Sequence, residues 1–227
     1  MQDFQINGVT LNLPQDILTP GIAQKLLDGT YEGDEARSVD RCVRDGFRVL
    51  DLGSGIGYVA ALCAQRTAPE NVLTVEANPA LLPVIEANLA ANGAAGATVL
   101  HGAVTGSAAP GATASFNIAP GFTGSSLKGH GKTKVEVPLI PIGDLIQTHR
   151  PHVVLMDVEG AEADLFHSPW TCPLRFFVLE LHPKKYPPRV IKRIVDFMSA
   201  MNMTYDPVVS RGKVLGFRKV WSNDAAP

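Results

Sequence analysis

The chain has 227 residues, a length that supports one sizeable core and falls short of two ordinary domains. Hydrophobic residues make up 45% and charged residues 19%, the balance of a folded globular protein and not of a disordered one. A formal charge of −2 gives no global field for gathering polyanions, so nucleic acid is not an expected partner, and no apolar run reaches the length of a membrane span.

The three cysteines, Cys42, Cys63 and Cys172, form no close Cys-x-x-Cys pair. MQDFQINGVTLNL has no basic stretch followed by an apolar one, so export is not expected, and reduced thiols in a cytoplasmic protein are. Residues 1–45 read as an N-terminal helical cover, with one or two helices in TPGIAQKLLDGTYEGDEARSVDRCVRDG and Asp34 or Ser38 as caps.

From position 46 short apolar runs alternate with Ala/Leu-rich segments, the signature of a parallel sheet with crossover helices. FRVLDLG (47–53), NVLTVEA (71–77) and ATVLHGAV (97–104) read as strands; YVAALCAQRT (58–67) and PALLPVIEANLAANG (79–93) read as helices. The glycine-rich stretch 105–134, with six glycines, interrupts the pattern. It reads as a lid or substrate loop, with SFNIA as a short strand inside it and Lys128, His130, Lys132 and Lys134 as a solvated basic run. The order resumes with strand PHVVLMDV (151–158), a helix from about Ala161 to Phe166, strand RFFVLELH (175–182) and the amphipathic helix VIKRIVDFMSAMNM (190–203). TYDPVVS and KVLGFRKVW close the sheet as two strands around Arg211-Gly212, an antiparallel edge.

Asp51-Leu52-Gly53-Ser54-Gly55-Ile56-Gly57 follows the first of these strands and precedes a helix, where glycine permits a tight turn and close approach of a ligand. Glu76 ends the next strand, 25 residues after Asp51, where a carboxylate can accept from two ribose hydroxyls. Asp51 ahead of the glycines would repel a pyrophosphate but could orient an ammonium group. S-adenosylmethionine, with a zwitterionic end, a sulfonium and a ribose, fits an acid at each strand end.

VLDLGSGIGYVAALCA and VEANPALLPVIEANLAANG resemble the first two motifs of class I S-adenosylmethionine-dependent methyltransferases, and MDVEGAE with LELHP resembles the FkbM-type branch, over residues 46–183. The resemblance implies an α/β, Rossmann-like domain over 46–227: a mostly parallel seven-stranded sheet, antiparallel last strand, and helices on both faces. It implies S-adenosylmethionine as cofactor and O-methylation of sugar or natural-product hydroxyls. Carried over residue by residue, Asp51, Gly53, Ser54, Gly55 and Gly57 line the methionine end, Glu76 holds the ribose, and Ala77 and Asn78 lie beside the adenine. The chain departs from many relatives in having Ser54-Gly55 in place of Ala-Asn, and His101-Gly102-Ala103 offers no acid for the adenine amino group.

The strand ending at Asp157 and Glu159 puts two carboxylates beside the expected methyl donor, where one could accept a hydroxyl proton. Glu162 and Asp164 read instead as solvent-facing partners of a helix dipole. Period two puts Glu180 and His182 on one side of their strand; His182 has the intrinsic pKa suited to a general base, and Glu180 is a candidate for binding the acceptor. Asp157, Glu159 and His182 are therefore the catalytic candidates. Tyr31 is taken as a substrate-binding residue that closes over the site, and Glu32 as a surface residue. Asp157, Glu159, Glu180 and His182 could also form an oxygen-rich magnesium or calcium site, although such strand-end carboxylates commonly work without metal, and none is expected.

The expected partner is a small-molecule acceptor, and among assemblies a homodimer is kept open. Two other classes stay in view: a nicotinamide-dependent oxidoreductase, and a non-catalytic protein that keeps the fold for binding. N-methylation of a planar base is disfavoured, because Asp157-Val158-Glu159-Gly160 is not an Asn/Asp-Pro-Pro-Tyr/Phe stretch.

Overall fold

The computed structural model describes residues 1–119, 124–127 and 133–221. The chain opens with a β-hairpin, β1 (Gln2–Ile6) and β2 (Val9–Leu13), followed by α1 (Pro20–Leu27) and α2 (Gly33–Cys42). The expected helical cover is thus half hairpin. Its turn is Asn7-Gly8, both with positive φ (50° and 79°), the pairing that two-residue hairpin turns require. The free edge of β2 is covered by side-chain amides of the fourth helix: Thr10 N–H donates to Asn92 Oδ1 (2.8 Å) and Asn12 N–H to Asn88 Oδ1 (2.7 Å).

The domain proper runs β3 (Val49–Leu52), α3 (Tyr58–Arg66), β4 (Val72–Glu76), α4 (Leu82–Ala91), β5 (Thr98–His101), β6 (Ala103–Thr105), β7 (Thr113–Ile118) and β8 (Thr133–Pro141). It continues with α5 (Ile142–His149), β9 (Val153–Met156), β10 (Phe176–Glu180), α6 (Pro188–Ala200), β11 (Met203–Tyr205) and β12 (Val214–Lys219). Seven strands form one sheet in the order β11-β12-β10-β9-β3-β4-β5. β3, β4, β5, β9 and β10 are parallel, and the last strand, β12, is antiparallel to β10.

Alternation along the central strands divides the core. Val49, Val153, Leu155 and Val178 face the layer holding α2, α3, α4 and the hairpin, while Leu50, Leu52, Val154, Met156, Phe177 and Leu179 face α5 and α6. Because both faces are covered, β3 and β9 are buried along their whole length, which explains their unbroken apolar runs. The chain leaves β3 for β4 on one side and later places β9 on the other, so the sheet order reverses between β3 and β9. A cleft opens outside the carboxyl ends of strands at such a reversal.

The expected strand 97–104 is broken at Gly102. An added Cβ there would lie 2.6 Å from Ile140 Cδ1 and 3.0 Å from the Pro138 carbonyl oxygen, so the backbone passes close to β8 and a larger residue would have to displace the Ile140 side chain. Thr98–His101 stays in the main sheet and Ala103–Thr105 turns away to pair with β8. Among its described residues the interruption 105–134 contains regular strand: Ser115 to Ile118 of SFNIA lie in β7, antiparallel to β8, within the three-stranded sheet β6-β8-β7. Lys128, His130 and Lys132 lie outside the described residues. The helix expected after Asp157 is a four-residue 3-10 turn, Ala161–Asp164. Among the described residues no helix is long and apolar enough to cross a membrane.

Candidate functional site

The glycine bend starts where β3 ends. Gly53 adopts φ 90°, and the N–H groups of Gly53 and Ser54 both donate to the Val75 carbonyl (2.9 and 3.1 Å), which fastens the bend to β4. Gly57 (φ 81°) opens α3 and lies against Ile85, with its N–H on the Ser54 carbonyl at 2.8 Å. Glu76 completes the bend from the next strand: Oε2 accepts from Gly55 N–H (2.9 Å) and Oε1 from Asn78 N–H (2.7 Å). Burial pushes its carboxyl up to about 7.

A cleft of about 730 Å³ opens over this bend. Gly53, Gly55, Glu76 and Ala77 line it; Asp51, Ser54, Gly57 and Asn78 do not. Asp51 lies behind the bend, 3% exposed, with Oδ2 accepting from Thr74 Oγ1 at 2.6 Å, and burial raises its carboxyl to about 6. Asn78 caps the turn at residues 79–81 through its side chain, which accepts from Ala80 N–H at 3.1 Å. These four lie outside the cleft lining and shape the bend from behind.

Val104 and Phe116 from the small sheet and Val75 and Leu81 from the main domain supply the apolar part of the lining. Tyr31 lines the cleft. It is 4% exposed, its ring lies 6.0 Å from that of Tyr58, and its hydroxyl is hydrogen-bonded to the Glu32 carboxylate. Glu32 faces the cleft and not bulk water, contrary to its reading as a surface residue. Nothing in the local pattern TYEGDE distinguishes a lining carboxylate from a solvated one.

The acidic stretch gathers around one histidine. His182 Nδ1–H donates to Glu162 Oε1 at 3.0 Å, while Nε2 lies 3.4 Å from Asp157 Oδ1 and 3.3 Å from Glu159 Oε2. Glu162 is fully buried, the opposite of the solvated helix start expected for it. A tight turn precedes it: Glu159 (φ 51°) and Gly160 (φ 100°) both take left-handed conformations, and Glu162 then meets His182. Glu159 is held by Lys185 Nζ at 2.5 Å and by Gly124 N–H at 2.9 Å, which ties the insertion to the acidic turn.

These charges reset each other. Burial pulls the His182 imidazole down, but hydrogen bonds to Glu159 and Glu162 outweigh it and push the pKa up to about 10. Burial raises Glu159, but its hydrogen bonds to His182 and Lys185 bring it to about 2. Asp157 goes the other way: burial, then the neighbouring Glu180 and Glu159 charges, hold its carboxyl well above the usual range. Glu180 lies 3.5 Å from Lys213 and does not line the cleft. Asp157, Glu180 and His182 offer ligand atoms within 4.8 Å of one another, so a cation could engage them.

A family model described as a methyltransferase FkbM domain matches residues 51–206. No curated protein matches the sequence. Among solved structures, the chain is similar to a precorrin-6y C5,15-methyltransferase from Geobacter metallireducens, with 12% identity, a TM-score of 0.49, and coverage of 92% of this chain and 94% of that one. It is also similar to a SAM-dependent O-methyltransferase from Thermotoga maritima, with 12% identity, a TM-score of 0.45, and coverage of 99% and 79%. The domain match spans more than half of the sequence, across the glycine bend, Glu76 and the acidic turn. The chain belongs to the FkbM family of S-adenosylmethionine-dependent class I methyltransferases.

Proposed function

We propose that the chain methylates a hydroxyl on a small polyhydroxylated acceptor, a sugar or natural product. The observation that carries this reading is a second cavity of about 870 Å³ that shares Val104, Leu127, Glu159 and Ala161 with the first and extends to Thr105, Ser126 and Lys185. Its lining mixes apolar Val104, Leu127 and Ala161 with polar Thr105, Ser126, Glu159 and Lys185, which suits a ring with a C–H face and hydroxylated edges. The two cavities join at Glu159, and Asp157 lines the first beside that junction, so an acceptor in the second would present its oxygen to the carboxylates.

The residues of the first cavity fit the cofactor. They include the carboxylates of Glu32, Glu76, Asp157 and Glu159, and no lysine, arginine or histidine among the described lining residues. A lining of acids without a base offers nothing to pair with the pyrophosphate of a nicotinamide dinucleotide and disfavours it. A sulfonium and an ammonium gain from the same field. Glu76, having accepted one N–H on each oxygen, keeps a lone pair on each for ribose hydroxyls.

S-adenosylmethionine supplies a methyl group already activated on sulfur, which leaves alignment and proton removal to the protein. In this reading Asp157 takes the proton, since its raised pKa makes it the most basic carboxylate at the junction. His182 does not serve as the base. Protonated at neutral pH, it has no lone pair to offer, and it holds Asp157 and Glu159 in position instead.

The test has two stages. S-adenosylhomocysteine at 100 times its Kd is expected to stabilise the fold by about 2.7 kcal/mol, and NAD to have no effect. Hydroxylated acceptors screened with methyl-labelled donor are expected to yield labelled ethers, and Asp157→Asn is expected to lower that turnover by about 10²- to 10⁴-fold while the melting shift persists. Label appearing only on amines, or an unchanged Asp157→Asn turnover, would overturn the proposal.

A further inference from the structure

We propose that Glu32, and not the motif acid Asp51, receives the α-ammonium group of the cofactor, an assignment that rests on reading the first cavity as the S-adenosylmethionine site. Asp51 is the expected candidate, standing immediately before the glycine bend, but its carboxylate is turned to Thr74 and lies behind the wall. Glu32 lines the cavity. It reaches there from the connector between α1 and α2, so the segment outside the main sheet supplies the anionic group.

Three observations bear on the role. The first is position: a Cβ placed on Gly55 would be 3.5 Å from the Tyr31 hydroxyl and 3.6 Å from Glu32 Oε1, so Tyr31 and Glu32 lie across the bend at van der Waals distance. The second is conformation. Glu32 holds φ 45° and ψ 40° at the N-terminus of α2 with no side-chain cap, a left-handed state that a glutamate occupies only when its surroundings require it. Any residue that merely began α2 would do better as asparagine, aspartate or serine, so helix initiation does not account for a glutamate there.

The third is charge. The groups acting most strongly on Glu32 after burial and the Tyr31 hydrogen bond are Glu35, Asp157 and Asp51, all carboxylates, and together with burial they raise its pKa well above the ordinary value. A carboxylate buried among carboxylates is complemented when a ligand brings the cation. Tyr31 then has a defined part: its hydroxyl fixes the Glu32 carboxylate over the bend, which makes Tyr31 a positioning residue for the cofactor and not a contact for the acceptor.

Two ligands separate this role from a structural one. S-adenosylhomocysteine carries the amino-acid end, and 5′-methylthioadenosine has the same nucleoside and thioether without it. By titration calorimetry, Glu32→Gln is expected to weaken S-adenosylhomocysteine about tenfold or more, the scale of a charge-assisted hydrogen bond, and to change methylthioadenosine by less than about twofold. Glu32→Gly, which relaxes the left-handed backbone while removing the charge, is expected to give the same ligand-selective loss without a lower melting temperature. Equal weakening of both ligands would make Glu32 a structural residue, and unchanged affinities would return the ammonium to another group; either result overturns the assignment. If the wild-type protein bound neither ligand, the reading of the cavity itself would fall, a result distinct from either of these.

Discussion

Gly53→Ala is expected to abolish detectable S-adenosylhomocysteine binding and to lower the melting temperature by roughly 10 °C, the equivalent of about 3 to 4 kcal/mol in a chain of this size. A Cβ on Gly53 would sit 1.8 Å from the carbonyl oxygen of Asp157 and 2.8 Å from its carbonyl carbon. Both atoms are backbone, so no rotamer change relieves the overlap. The φ of 90° adds strain that alanine cannot share. Relief would require β3 and β9 to part at their carboxyl ends, against the bond from Asp157 N–H to the Leu52 carbonyl (2.8 Å) and that from Gly53 N–H to the Val75 carbonyl (2.9 Å). That movement would displace both the bend and the proposed base. Gly143→Ala supplies the opposite sign: Gly143 is in α5 with nothing within 4 Å of an added Cβ, and alanine there is expected to stabilise by up to about 1 kcal/mol. Calorimetric melts with and without S-adenosylhomocysteine check both substitutions.

The contrast between these glycines also shows what a sequence conveys. Gly53 was identifiable because a glycine between an apolar strand and a helix has few uses other than close approach. β3, β4, β9 and β10 were legible for a related reason: strands buried on both faces leave unbroken apolar runs that no solvated element imitates. The hairpin at residues 2–13 is signalled by Asn7-Gly8 flanked by alternating residues, a short signal masked by the helical segments that follow it. β8 and α5 are hidden in KVEVPLIPIGDL, where Pro138 and Pro141 read as breaks in a strand and the pairing partners, β6 and β7, lie elsewhere in the chain.

At the site, the distinction is between groups fixed locally and groups fixed at a distance. Glu76 could be found because it ends a strand at a known interval from the bend. Glu162 could not, because the sequence Glu-Gly-Ala-Glu is also how a solvated helix begins, and its burial depends on a histidine 20 residues away. Glu32 is similar: its neighbours across the cleft, Gly55 and Asp157, belong to other elements. Motif spacing located the wall, while the wall's charged occupants came from tertiary contacts.

His182→Ala is expected to destabilise the fold by about 3 to 5 kcal/mol, more than any other substitution in the acidic turn, because it strands a buried anion. Glu162 is fully buried and its Oε1 is served by His182 Nδ1–H, while Oε2 has no hydrogen-bond partner among the described residues. Without the imidazole the buried carboxylate loses the donor that serves it, which costs stability. Glu162→Gln removes the anion and keeps the side-chain size, so its penalty is expected to be smaller, and the double substitution is expected to lose less than the sum of the two. The pH dependence has a definite sign. His182 is raised to about 10 in the folded protein from an ordinary 6.5, so the folded state holds the proton more tightly and the stabilisation is fully present below about pH 6.5. It is lost as pH rises towards 10. The stability difference between wild type and His182→Ala is therefore expected to shrink between pH 7 and pH 10, measured by denaturant unfolding at each pH. Glu159, lowered to about 2, behaves in the converse way: its contribution is present above about 4.5 and disappears as pH falls towards 2, outside that window. A difference that stayed constant from pH 7 to 10 would mean that His182 is neutral in the native protein. Its Nε2 would then be free to accept a proton, and Asp157 would lose its claim to be the base.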